Sequence, residues 1–192
     1  MAMFQRYRFN RIVTACPHAY NAFNIRYPTI GFHYEVHHTT PYFVHKLDRL
    51  KPLLTKKLNY KVTYHDSYCL GRQNEFCEEP RTLLRAIPGL KQAEMPKNRE
   101  HARCCGAGGG RIWMEDAPSG HPRPAESRVR EAAAVRGVST LAVACPKDLV
   151  MFQDAVKNTG LENKLAVRDL AELVEEHLTP GERSNQDGGT AS

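Results

Sequence analysis

One short pattern occurs twice in the chain and limits its fold more than any other feature. Ile12-Val-Thr-Ala-Cys16-Pro17 recurs as Leu141-Ala-Val-Ala-Cys145-Pro146. Each copy is followed by a predicted helix, a short apolar strand and a second helix. A strand, a helix and a further strand in this order form a βα repeat with parallel strands. The pattern therefore predicts an α/β protein with pseudo-repeat architecture, in which helices flank a parallel sheet.

The same alternation of short apolar runs and amphipathic stretches continues along the chain. It predicts strands at Ile12–Ala15, Tyr34–Val36, Lys61–His65, Leu90–Met95, Thr140–Ala144 and Lys164–Val167. It predicts helices at Pro41–Leu50, Pro80–Ile87, Ala125–Arg136, Pro146–Asn158 and Leu170–Leu178, where apolar residues recur at helical spacing. These elements are enough for one parallel sheet with helices on its faces.

The two copies of the repeat differ in how much sequence precedes the cysteine. We interpret residues 1–50 as the end of a first, incomplete cysteine-rich repeat and residues 60–178 as a complete second one. Residues 179–192 contain Pro, Gly, Ser and Asn, and they lack the apolar surface needed to offset the entropy of ordering. We therefore expect a disordered tail and a chain that is a fragment or a shortened relative of a two-repeat protein.

The setting of the cysteines follows from what the sequence lacks. No apolar run has the length of a membrane span, and residues 1–11 lack the apolar core of a signal peptide. The chain is therefore expected in the cytoplasm, either free or attached to the inner face of a membrane through a partner. In that reducing compartment the six cysteines are expected as thiols or metal ligands rather than as disulfides.

The net charge of +6 leaves two kinds of partner open. Clustered Lys and Arg favour nucleic acid, but the basic residues of the first sixty positions lack the interleaved aromatics of a single-strand binder. A basic surface that faces an acidic protein explains the charge equally well. We therefore do not expect nucleic acid as a partner.

Two segments carry residues suited to metal chemistry. Cys145 lies between a predicted strand and a helix, and Asp148 lies in the first turn of that helix, where backbone amides favour a thiolate. Cys104 and Cys105 are adjacent and precede Gly106-Ala-Gly-Gly-Gly, and glycines permit the sharp turn that brings two neighbouring thiols to one centre. Soft thiolates beside such a turn favour an iron-sulfur cluster.

Two other kinds of site could use these residues. A phosphate-binding loop would explain the glycines, but the segment lacks the last glycine of the dinucleotide motif and is not followed by Gly-Lys-Ser/Thr. A structural zinc site would use close pairs such as Cys-x-x-Cys, which the chain does not contain. Both alternatives fit the sequence less well than a cluster does.

Three segments taken in order resemble a known family. Residues 64–72 (Tyr-His-Asp-Ser-Tyr-Cys-Leu-Gly-Arg), 104–115 and 144–148 resemble the CCG cysteine-rich domain, and the likeness covers about residues 12–178. This domain is known from heterodisulfide reductase subunits B and D and from iron-sulfur subunits of glycolate and lactate oxidation systems. Its members usually carry two copies, and in heterodisulfide reductase these hold noncubane [4Fe-4S] clusters.

The resemblance implies a set of ligands in the second copy. These are Cys69, Cys104, Cys105, Cys145 and Asp148, the last because some relatives carry aspartate in place of the final cysteine. Cys69 is the weakest of them, because the family places its cysteine before a tyrosine and here the order is reversed. A shift of one residue in an extended segment would turn the thiol to the other face. Cys16 is expected to bind nothing, since the rest of its ligand set is absent.

The expected function follows from this resemblance. The chain would be an electron-transfer part of a heterodisulfide-reductase-like oxidoreductase complex rather than a complete enzyme. Its partners would be a flavoprotein or other iron-sulfur redox subunits. Two alternatives remain: a cluster-free, degenerate fragment or scaffold that binds a redox partner, and a nucleotide-binding α/β module that uses the glycine loop.

Overall fold

The computed structural model describes residues 3–114 and 122–178. Its strands are β1 (Arg11–Thr14), β2 (Glu35–His38), β3 (Tyr60–Tyr64), β4 (Leu90–Gln92), β5 (Val138–Val143) and β6 (Ala166–Asp169). Its α-helices are α1 (Pro17–Asn21), α2 (Thr39–His45), α3 (Leu47–Leu50), α4 (Glu78–Ala86), α5 (Pro124–Ala134), α6 (Pro146–Asn158) and α7 (Leu170–His177). Short π-helical turns at Ala22–Arg26 and Tyr68–Arg72 and several 3₁₀ turns connect them. The protein is therefore of the α/β class, as predicted.

The strands form two parallel sheets. The larger sheet has the order β4-β3-β5-β6, and the smaller one pairs β1 with β2. From β3 the chain first moves outward to β4 and then returns to place β5 on the other side of β3. In parallel sheets, ligands bind outside the carboxyl ends of the strands at such a reversal. The topology thus marks the space beyond the ends of β3 and β5.

Both faces of the larger sheet are covered by helices. Leu141 of β5 belongs to the apolar cluster that contains Val129 of α5 and Phe152 of α6. The next residue, Ala142, belongs to the opposite cluster with Leu83 of α4 and residues of α7. Successive residues of a strand point to opposite faces, so the part of β5 that is buried on both sides must be apolar. This explains why Leu141, Ala142 and Val143 form a continuous apolar run, whereas the exposed Ser139 lies near the start of the strand.

The predicted elements agree closely with the observed ones. Each of the six predicted strands overlaps an observed strand, and α6 has the predicted bounds. The helix predicted at Pro41–Leu50 is divided into α2 and α3 at Lys46, whose φ and ψ of −103° and 14° lie outside the helical range. The predicted disorder of residues 179–192 lies outside the described residues. No helix within the described ranges is long and apolar enough to cross a bilayer.

A buried arginine connects the end of β3 to the rest of the larger sheet. Arg81 of α4 is fully buried and donates to both carboxylate oxygens of Asp66, at 2.7 and 3.0 Å. It also donates to both oxygens of Glu94, at 2.7 and 2.9 Å. Asp66 accepts a further bond of 2.8 Å from the backbone N–H of Arg99. Because Asp66 lies between β3 and Cys69, these bonds fix the loop that carries that cysteine.

Candidate metal centre

The predicted ligands lie on loops at the carboxyl edge of the larger sheet. Cys69 lies in the turn after β3, Cys145 directly follows β5, and Asp148 lies in the first turn of α6. Cys104 and Cys105 come from the long connection between β4 and α5. Cys105 has a side-chain hydrogen bond with Asp148, and Cys69 and Cys145 both interact electrostatically with the Asp148 carboxyl group. The structure therefore brings all five residues to one edge, at the boundary between β3 and β5.

The adjacent cysteines lie in a turn lined by backbone amides. The N–H of Gly106 points at the Cys104 sulfur at 3.4 Å, and the N–H of Ala107 points at the Cys105 sulfur at 3.5 Å. Gly106 has φ of 87°, a conformation that residues with a Cβ atom rarely adopt. The glycine is thus required for the turn, as the sequence predicts.

The two neighbouring thiols differ in acidity. The pKa of Cys104 is lowered by a hydrogen bond from Cys105, by the Gly106 amide and by the charge of Arg72. The pKa of Cys105 is raised by the same contact with Cys104, by burial and by Asp148. One negative charge is therefore held between the two sulfurs and lies mainly on Cys104, which is the more exposed of the pair.

Asp148 and Cys145 form the buried side of the site. Asp148 is 3% exposed, burial raises its pKa to about 6, and its Oδ2 atom has no hydrogen-bond partner among the described residues. Burial also raises the pKa of Cys145 to about 12, while the amides of Lys147 and Asp148 act in the opposite direction. The helix amides therefore do favour the thiolate, as predicted, but burial outweighs them. An unpartnered buried oxygen beside thiols is a group that a metal would satisfy.

His65, which is buried and hydrogen-bonded to Arg128, lies next to Asp148. His65 Nδ1 accepts a 3.2 Å bond from Nε of Arg128, so the ring proton lies on Nε2. That Nε2 is 3.6 Å from Asp148 Oδ2, which is too long for a hydrogen bond. Burial lowers the pKa of His65, with a smaller contribution from the Arg128 charge, so the ring is neutral. His65 thus faces the carboxyl group without forming an ion pair with it.

The position of Cys69 differs from the expectation. An extended segment would turn this thiol away from the site, but residues 68–72 form a π-helical turn, in which successive side chains do not point to opposite faces. The pKa of Cys69 is raised by burial, and the charges of Asp148, Cys16 and Cys104 add to this. Its thiol therefore lies among the other candidate ligands. The assumption of an extended segment was wrong.

Two further residues near the site are not predicted from the sequence. His18 Nδ1 lies 4.0 Å from the Cys145 sulfur, and Cys16 raises the pKa of both Cys69 and Cys145. The sequence alone predicts no role for Cys16. The repeated strand-Cys-Pro pattern is the signal for it, because in both copies the cysteine lies between a strand and the helix that follows.

The donor atoms fit a cluster better than a single ion. In the described part of the chain no three His, Cys, Asp or Glu side chains are placed to hold one metal ion. Four soft thiols and one carboxylate on three loops match the ligands of an iron-sulfur centre. Cys77 is not one of these donors: its thiol is 3.7 Å from the carbonyl oxygen of Gly71, and the charged groups that act on its pKa are Asp66, Arg81, Glu100 and Arg99 rather than the candidate ligands.

Comparison with known proteins finds iron-sulfur proteins and oxidoreductases among the relatives. The chain is 39% identical over 171 residues to the "Probable iron-sulfur-binding oxidoreductase FadF" of Bacillus subtilis, and 36% identical over 177 residues to the "EtfAB:quinone oxidoreductase" of Syntrophomonas wolfei. In both cases the match covers 89% of this chain and 24% of the relative. The chain is also 33% identical over 174 residues to one of the subunits of the dihydromethanophenazine:CoB–CoM heterodisulfide reductase of Methanosarcina mazei, a match that covers 88% of this chain and 41% of the relative.

The chain thus spans about a quarter of the length of the first two relatives. No solved structure matches it significantly. Residues 62–153 match the family model described as "CCG: Cysteine-rich domain", and this range includes every predicted ligand. Residues 62–153 are therefore the part of the chain that is similar to the CCG cysteine-rich domain.

Proposed function

We propose that this chain is an iron-sulfur electron-transfer module of a larger oxidoreductase complex and not a complete enzyme. The observation that carries the proposal is the meeting of thiols from three loops with the unpartnered, buried Oδ2 of Asp148. The names of the relatives, which include an iron-sulfur-binding oxidoreductase and a heterodisulfide reductase, support the same assignment.

Each candidate ligand has a distinct part in the proposal. Cys104, Cys105 and Cys145 would hold a [4Fe-4S] cluster, of the noncubane type that the family resemblance implies, and Cys69 would add a fifth donor. Asp148 would supply a harder oxygen ligand. The cluster would take up and release single electrons. The amides of Gly106 and Ala107 point at the two adjacent sulfurs and would reduce the negative charge that those sulfurs carry.

A basic cavity beside Cys104 indicates where a redox partner would dock. The cavity measures about 580 Å³ and is lined by Arg72, Lys97, Arg103 and the exposed Cys104. Arg72 donates to backbone carbonyls at 2.6 and 2.8 Å, so its charge is fixed beside the cavity and close enough to act on Cys104. A partner with acidic residues around its own cofactor would be steered to this face. We propose a flavoprotein or another iron-sulfur protein as that partner, in the cytoplasm or at the inner face of a membrane.

Anaerobic reconstitution tests the proposal directly. Purified protein incubated with ferrous iron, sulfide and a thiol reductant should become brown and should retain iron and acid-labile sulfide after gel filtration. Cys105→Ser should lose most of both, because a hydroxyl is a poor ligand for iron in such a cluster. Cys77→Ser is the matched control and should bind as much iron as the unmodified chain, since its thiol is not one of the candidate donors.

A protein that remains colourless and free of sulfide would contradict the proposal and favour a cluster-free scaffold. Equal iron loss in Cys77→Ser and Cys105→Ser would show that the metal is not held at the candidate site.

A further inference from the structure

The two Cys-Pro turns of the chain both lie beside one buried histidine. His38, at the end of β2, is fully buried and accepts a 3.2 Å bond at Nδ1 from the N–H of Thr40. Its proton therefore lies on Nε2, which donates to the carbonyl oxygen of Ala15 at 3.1 Å. The backbone of Ala144 is also close enough to act on the pKa of this ring. Ala15 and Ala144 directly precede the two cysteines of the repeat, so this one side chain lies beside both turns.

Helix α1 is also fixed against the loop that carries Cys69. Nδ2 of Asn21 donates to the side-chain oxygen of Gln73 at 2.6 Å, and Nδ2 of Asn74 donates to Oδ1 of Asn21 at 2.6 Å. Asn74 also donates to the carbonyl oxygen of Cys69. These bonds hold the first unit, from β1 to α3 (residues 11–50), against the second unit, from β3 to α7 (residues 60–177). The orientation of α1 toward the candidate centre is therefore determined by the fold.

This arrangement directs two side chains of the first unit toward the centre. His18 Nδ1 lies 4.0 Å from the Cys145 sulfur. The charge of Cys16 is close enough to influence both Cys69 and Cys145. The charge of Asp148 acts on the same two thiols, and its buried Oδ2 has no hydrogen-bond partner among the described residues. The site is thus bounded by residues of both units.

We propose that the first unit completes the iron-sulfur site of the second: His18 donates its Nδ1–H to the Cys145 sulfur, and Cys16 lines the same centre. The inference rests on the proposed function and adds to it the residues that tune the cluster. A hydrogen bond to a coordinating sulfur withdraws negative charge from the cluster and favours its reduced state. His18 is in this sense a positioning residue and not a ligand.

Redox titration of the reconstituted protein, followed by electron paramagnetic resonance, tests the part of His18. In His18→Leu the reduced fraction at a fixed solution potential should fall by about threefold or more, with iron and sulfide content unchanged. His18→Asn retains a side-chain N–H donor and should recover part of the difference. His45→Leu replaces an exposed histidine at the end of α2 and should leave the titration unchanged.

Thiol labelling tests the part of Cys16. Cys16 and Cys77 are both half-buried, so iodoacetamide should modify both in the metal-free protein. After reconstitution Cys16 should be protected and Cys77 should not. If a cluster forms but His18→Leu titrates like the unmodified chain and Cys16 is labelled as before, this inference is wrong while the proposed function stands. If no sulfide is retained at all, the proposed function itself has failed.

Discussion

The substitution Arg81→Met is expected to be among the most destabilising in the chain. Arg81 is fully buried and makes four charge-assisted hydrogen bonds with Asp66 and Glu94. Without it, the Asp66 side chain, which is 1% exposed, keeps only the bond from Arg99. Removing one partner of a buried ion pair costs about 3–5 kcal/mol. The Glu94 side chain is 33% exposed, so water replaces its lost bonds and adds little to that cost.

Urea denaturation followed by circular dichroism measures this loss. Arg85→Met, on the same helix, is the matched control, because Arg85 is exposed and its ion pair with the exposed Glu78 is long, at 3.8 Å. This substitution should change the unfolding free energy by less than about 0.5 kcal/mol. Adding Asp66→Asn to Arg81→Met should recover part of the stability by removing the uncompensated charge. A loss below about 1 kcal/mol in Arg81→Met, or no recovery in the double variant, would refute the reasoning.

Three further results are expected. Gly106→Ala should lower the unfolding free energy by about 1–2 kcal/mol in thermal melts, because φ there is 87°, whereas Gly108→Ala, at a position without positive φ, should cost less. In the metal-free protein, iodoacetamide should modify the exposed Cys104 at least about tenfold faster than the buried Cys145, as read by mass spectrometry. Burial lowers the pKa of His38 from 6.5 to about 4, so its contribution to stability is complete above pH 6.5 and is lost as the pH falls toward 4. The unfolding free energy should fall in that window by up to about 1.4 kcal/mol per pH unit from this group, and His38→Gln should lack this part of the slope.

The fold could be predicted from the sequence because its signals are local. An apolar run such as β5, followed by Pro146 at the first position of a helix, defines both elements and the boundary between them. The division of one predicted helix at Lys46 could not be seen in this way. Nothing in the residue types around it prevents a continuous helix, and only packing decides the break.

The site was predictable only as far as motifs reach. Cys104, Cys105 and Gly106 are adjacent in sequence, so their turn and its amide bonds follow from the residues themselves. The approach of His18 to Cys145 depends on how two units pack, over a separation of 127 residues. The direction of the Cys69 side chain depends on whether its segment is extended or helical. The residue types of so short a segment do not determine its conformation.

The pairing of β3 with β5 has a consequence for the order of assembly. These strands are neighbours in the sheet although β4 and α5 lie between them in sequence, and the loops that follow them carry Cys69 and Cys145. The binding pocket therefore comes into existence only when the last third of the chain has joined the sheet. Iron delivered earlier during synthesis would meet isolated thiols, so maturation of the cofactor has to follow folding, and a bound cofactor would in turn hold this strand pair closed.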